Sequence, residues 1–225
     1  MNYANMLADL GEMDDALESY QHCLEVARDI GDRASEGIVT GNIASVLSEL
    51  GRNAEARLLF EAANRAHQSH RRLRHRAIVL LNHFRLELST GQVGAAAALL
   101  SELEPLVQEL DLVPIETSAL MAKADWSLHQ ADLDGARSLL DCASRMIDEH
   151  KLRRLRLQYL HSAGRVAVAR GRLPRARKYL NEFDALIREF AIVAPSVSVK
   201  HADELRELIE DAETATGRVL YLAEG

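Results

Sequence analysis

Along the chain, apolar residues recur at helical spacing in blocks, and the blocks themselves recur. From Ile38 through Ile43, Val46, Leu47 and Leu50 the apolar positions fall on one helical face, and Gly51-Arg52-Asn53 then breaks the pattern. A second face follows in Ala54, Leu58, Leu59, Ala62, Ala63 and Ala66. A step of 40 residues from Ala56 lands on Ala16, Ala96, Ala136 and Ala176. The same step from Gly51 meets Gly11, Gly91 and Gly171, with Ala131 the exception, and from Phe60 it meets Tyr20, Leu100, Leu140 and Leu180. A fixed period of this length denotes a stacked array. The alanine lets two helices of a unit approach closely, and the large residue four positions on plugs the groove beside it.

The pattern predicts first helices over about 1–10, 36–50, 75–90, 115–130 and 153–170, with second helices over about 13–30, 53–69, 93–110, 133–149 and 174–190. Pro174 fits a first helical turn, and Pro114 marks the loop between the third and fourth units. The predicted fold is an all-α right-handed superhelix, an α-solenoid of about five antiparallel helix pairs plus a C-terminal capping helix. Its units run about 1–32, 36–70, 75–110, 115–150 and 153–190. Residues 191–225 are expected to form a linker broken around Pro195, a capping helix from about Val199 to Thr216, and a tail. The tail's apolar Val219-Leu220-Tyr221-Leu222 is read either as packed on the last helices or as the start of something further. The first helix is short by about a turn, which reads as a clipped unit: either an upstream part of a longer protein has been cut away, or the start is ragged.

The repeats carry a resemblance. Gly11, Ala16, Tyr20 and Cys23, then Gly51, Ala56, Phe60 and Ala63, are similar to the Gly, Ala, aromatic and Ala of the tetratricopeptide repeat. Asn42-Ile43-Ala44 resembles the Asn-Leu-Gly of that repeat's first helix. The longer period resembles the variant found in bacterial signalling and transcription regulators. The third and fourth units depart from it at His83-Phe84, Lys123-Ala124 and Ala131, and irregular packing is expected there. The resemblance implies a non-enzymatic scaffold that binds proteins or peptides. It also implies an alternative, a small-molecule sensor arm of an ATP-dependent transcription activator, with a pocket on Arg85, Asp125, His161 and Arg165.

Composition narrows the choices. With 48% hydrophobic residues in 225 the chain can bury a sizeable core, and 4% aromatics suits close-packed helices better than sheets. Net charge is −7, which argues against nucleic acid as the partner. Cys23 and Cys142 lie in different repeats on expected buried faces, without metal spacing, and point to a reducing, cytoplasmic setting. No apolar run is long enough for a bilayer. No nucleotide-binding, nucleophile-elbow or zinc-protease motif occurs, and no catalytic residue or cofactor is expected. His67, His70 and His75 sit among arginines that oppose a metal ion.

In this resemblance the first helices line a concave groove. One groove position reads Asn2, Asn42, Asn82, Ala122 and Ser162, and the one three residues on reads Asn5, Ser45, Arg85, Asp125 and Arg165. The family's Asn and basic residues hold a peptide backbone or carboxylate, so Asn2, Asn5, Asn42, Ser45, Asn82, Arg85, Asp125, His161 and Arg165 are the groove candidates. An amide offers donor and acceptor together, and Arg adds a planar fork. The same Asn positions also suit hydrogen bonds to a neighbouring helix. Charge is segregated as well. Residues 65–86 hold six Arg and no acid, and residues 151–180 hold ten Lys/Arg and no acid. Arg71, Arg72, Arg74, Arg76, Arg153, Arg154, Arg156, Arg172 and Arg175 are therefore candidates for a basic patch. An acidic protein partner, a phosphate backbone or plain solvent would each suit such a patch. Self-association through the end helices is a further expectation.

Overall fold

The structure is a computed structural model that describes residues 1–190, 192 and 196–223, with only the backbone described over 216–223. The helices in order are α1 (Asn2–Leu10), α2 (Met13–Asp29), α3 (Arg33–Glu49), α4 (Asn53–Ser69), α5 (Leu73–Ser89) and α6 (Val93–Leu110). Then come α7 (Val113–His129), α8 (Leu133–Glu149), α9 (Arg153–Ala169), α10 (Leu173–Glu189) and α11 (Val197–Ala223). Among the described residues there is no strand. The chain adopts the expected fold class, an all-α repeat of antiparallel helix pairs. It divides into two compact units, Met1–Ala122 and Lys123–Gly225. The apolar Val219–Leu222 and most of the segment around Pro195 lie outside the described side chains.

From α1 to α10 the backbone repeats every 20 residues, half the sequence period, because helices of mostly 17 residues alternate with short turns that pass through a left-handed residue. Each turn from α1 to α10 places one residue in the left-handed region: Gly11, Gly31, Gly51, Arg71, Gly91, Asp111, Ala131, Lys151 and Gly171. Around Gly51, its N–H donates to the Ser48 carbonyl at 3.0 Å and the Arg52 N–H donates to the Leu47 carbonyl at 2.8 Å. Around Ala131 the same pair runs to Leu128 at 3.0 Å and Ser127 at 2.9 Å. This crossed pair satisfies carbonyls that a helix end leaves open. Ala131 thus makes the turn that Gly makes elsewhere, at the steric cost of a Cβ with φ 58°. Ala131→Gly should raise stability by about 0.5–1 kcal/mol, the αL penalty less glycine's entropy cost, while Gly51→Ala should lower it by about 1 kcal/mol. Urea midpoints of the two variants check both signs.

The 40-residue register marks the core. Ala16, Ala56, Ala96, Ala136 and Ala176 are all at 0% exposure, and Tyr20, Phe60, Leu100, Leu140 and Leu180 are all buried. In the third unit His83 and Phe84 are both buried and α5 packs closely on α6, so that pair is regular. Pro114 lies inside the first turn of α7 and not in a loop, where its missing N–H has no helical partner to lose. Cys23 and Cys142 are free and half-buried, less enclosed than their apolar neighbours suggested.

First helices of the first unit come close together. A Cβ on Gly41 of α3 would stand 3.0 Å from a methyl of Val79 on α5, so the absence of a side chain sets their separation. In the second unit α11 packs on α9 and α10 and begins the next step of the register. Ala202 and Leu205, 40 residues beyond Ser162 and Arg165, are buried, and Leu205 lies directly over Gly164.

Candidate functional site

The first-helix positions form ladders, one in each unit. In the first unit the Tyr20 hydroxyl donates to Asn5 Oδ1 at 2.6 Å, and Asn42 Nδ2 donates to the same oxygen at 3.4 Å. On the next rung Asn82 Nδ2 donates to Ser45 Oγ at 3.1 Å, and Arg85 Nη1 donates to Asn82 Oδ1 at 2.9 Å. Asn42, Ser45, Asn82 and Arg85 are half-buried, and one amide N–H of Asn82 remains beyond these bonds. Burial pushes the Tyr20 phenol up to about 12, with the nearby Asp9 adding to it, so Tyr20 is a neutral donor. Asn2 is exposed and stands outside the ladder.

In the second unit the rung is Ser162 Oγ donating to Asp125 Oδ2 at 3.2 Å. The Asn5–Asn42, Ser45–Asn82 and Asp125–Ser162 bonds each join residues 37 apart, which is one repeat less one helical turn. Arg165 reaches Asp125 and Glu204 at 3.8 Å each, and His161 Nε2 meets Glu204 Oε2 at 3.2 Å. The His161 ring stacks on His201 at 4.3 Å. The hydrogen bond from His161 holds the Glu204 carboxyl below its ordinary value against the opposing effect of burial. Glu204 and His201 were not candidates in the sequence, because nothing local marks α11 as facing α9.

Part of each basic block is paired in space. Arg76 bonds Asn64 at 2.9 Å and Glu102. Arg156 bonds Glu182 at 2.8 Å and Asp148 at 3.2 Å, with its guanidinium over the Tyr159 ring. Arg153 bonds Glu189 and covers the Phe190 ring at 5.3 Å. Acids on the next helix therefore interrupt a charge run that is pure along the chain. Arg71, Arg74, Arg154, Arg172 and Arg175 are exposed, and Arg72 lies half-buried at the start of α5. Among the described residues no set of three His, Cys, Asp or Glu side chains is arranged to hold a metal ion. His67 is buried, 5.4 Å from the His75 ring, with its Nε2 lacking a partner. No helix among the described residues is long and apolar enough to cross a membrane.

Comparison with known families adds one match: residues 1–69 fit the model of the tetratricopeptide repeat. No curated protein matches the chain. Repeats of this family generally act as protein-interaction scaffolds.

Proposed function

We propose, for a chain that carries tetratricopeptide repeats, a non-enzymatic scaffold that binds a peptide segment of a partner protein along its first helices. The observation that supports this is the half-exposed ladder of Asn42, Ser45, Asn82 and Arg85 in the first unit. Its amides are pre-positioned by their neighbours, so ordering them costs little when a ligand backbone arrives. Arg85 adds a cation suited to an acidic residue or carboxylate of that segment. Exposed arginines outside the ion pairs, Arg71, Arg74 and Arg154 among them, favour an acidic partner and steer it at long range. By the resemblance of its 40-residue units the scaffold belongs to bacterial signalling or transcription regulation. The free thiols of Cys23 and Cys142 suit a reducing cytoplasm.

The test takes a peptide selected from a random displayed library against the whole chain, then measures its affinity for Asn42→Ala combined with Arg85→Ala. The expected result is a loss of at least about tenfold, near 1.4 kcal/mol, with the helical content and melting profile retained. Unchanged affinity would remove the ladder from the binding site.

A further inference from the structure

In the second unit a cavity of about 450 Å³ opens between α8, the C-terminal half of α9 and the start of α10. It shares no residue with the first-helix ladder. Its floor is apolar, built by Leu140, Ala163 and Val166, all buried. Tyr159 and Tyr179 form one wall, their rings edge to face at 6.1 Å. Its rim carries Arg137, Arg170, Arg172 and Arg175.

The rim is under-neutralised. Arg170 donates to Asp134 at 2.5 Å and to the Leu133 carbonyl at 3.0 Å, and Arg137 stands 3.6 Å from Asp141. Arg175 donates only to the Tyr179 hydroxyl at 2.9 Å, a neutral acceptor whose ring it also overlies. Arg172, at the N-cap of α10, has no partner among the described residues. Four guanidiniums against two carboxylates leave a surplus of two positive charges. That surplus sits at the start of a helix with no acid in its first turn, where the helix dipole already favours an anion and opposes cations. An inorganic ion would satisfy the rim and leave the apolar floor wet. A neutral apolar molecule would fill the floor and leave the rim uncompensated.

We propose that this cavity binds a small amphipathic anion: an apolar or aromatic body on the Leu140–Val166 floor beside the two tyrosines, and a phosphate or carboxylate held by Arg172 and Arg175. The volume falls within the range of small-molecule sites, and the planar guanidinium both forks onto such groups and stacks on flat rings.

The experiment titrates the whole chain by calorimetry with 1-naphthyl phosphate and 1-naphthoate, and with inorganic phosphate and 1-naphthol as the isolated halves. At least one naphthyl anion should bind at least about tenfold more tightly than either half, and the phosphate-to-carboxylate preference identifies the anionic group. Arg172→Gln with Arg175→Gln should weaken that binding about tenfold or more, while Arg71→Gln with Arg74→Gln in the other unit leaves it unchanged. Both rim residues are exposed, so the melting profile should hold, and Arg172→Gln alone serves as a second variant. Naphthyl anions no tighter than their halves, or binding indifferent to the rim variants, would overturn the proposal. Binding of a hexaglutamate peptide in place of the naphthyl anions would overturn it too, and would make the rim a protein-docking surface.

Discussion

Glu87→Ala should cost the first unit about 3 kcal/mol, toward the lower end of the range for breaking a buried ion pair. Glu87 is 3% exposed, and its carboxylate accepts from Arg57 Nε on α4 at 2.7 Å and lies 3.1 Å from His83 Nε2 on its own helix. Burial lowers the His83 pKa despite the nearby carboxylate, so the ring is neutral at pH 7 and donates from Nε2. That ring in turn stacks on Phe60 at 5.3 Å, beside the repeating register of small and large residues on α4. Without the carboxylate, His83 keeps a buried N–H with no acceptor, and Arg57 keeps only the Thr90 hydroxyl at 2.7 Å. Arg57 is about one-third exposed, so water recovers part of its loss. Glu87→Gln retains an acceptor and should lose roughly half as much. Urea denaturation of both variants measures the difference, and a loss below about 1 kcal/mol for Glu87→Ala would contradict the bridging role.

Acidification should destabilise the first unit well before its carboxylates titrate. Burial, reinforced by His75, Arg72 and His70, pushes His67 down to about 4. The unfolded chain therefore binds a proton near pH 6.5 that the folded chain refuses until about pH 4. Stability is full above 6.5 and falls as the pH drops through that interval, by on the order of 2–3 kcal/mol for this one ring. His75 and His83 are lowered as well and act in the same direction. His67→Leu removes an imidazole whose Nε2 has no partner. It should leave stability at pH 7 nearly unchanged or higher and roughly halve the acid slope between pH 6.5 and 5. Melting temperatures over that pH range decide it, and an unaltered slope would show that the acid sensitivity lies elsewhere.

Much of the architecture is legible in the residues because the closest helix contacts tolerate so little. Ala16, Ala56, Ala96, Ala136 and Ala176 have no exposed surface, so a larger side chain there would overpack the helix pair, which puts the register into composition at a fixed interval. Turn glycines mark the helix ends within a few residues at Gly51, Gly91 and Gly171. The 20-residue backbone period stays hidden because Arg71, Asp111 and Lys151 make the same left-handed turn without glycine. Local charge runs mislead for a related reason. Arg76 and Arg156 each meet an acid 26 residues on, Arg153 meets one 36 on, and Arg156 also meets Asp148 eight residues back, always on a different helix. The ladder positions are readable from the period, but the Asn82–Ser45 bond also needs the close approach of α3 and α5 at Gly41, which the period does not show. The arginine-rimmed cavity crosses three helices, and of its four rim residues the charge block over 151–180 holds Arg170, Arg172 and Arg175 but not Arg137.

Amide hydrogen exchange of the whole chain, with and without the library-selected peptide, locates the surface that the peptide covers. Peptide binding along the first helices predicts slowed exchange in α3 and α5 with α4 and α6 unchanged. Protection confined to α4 and α6 would contradict it and move the binding surface to the second helices.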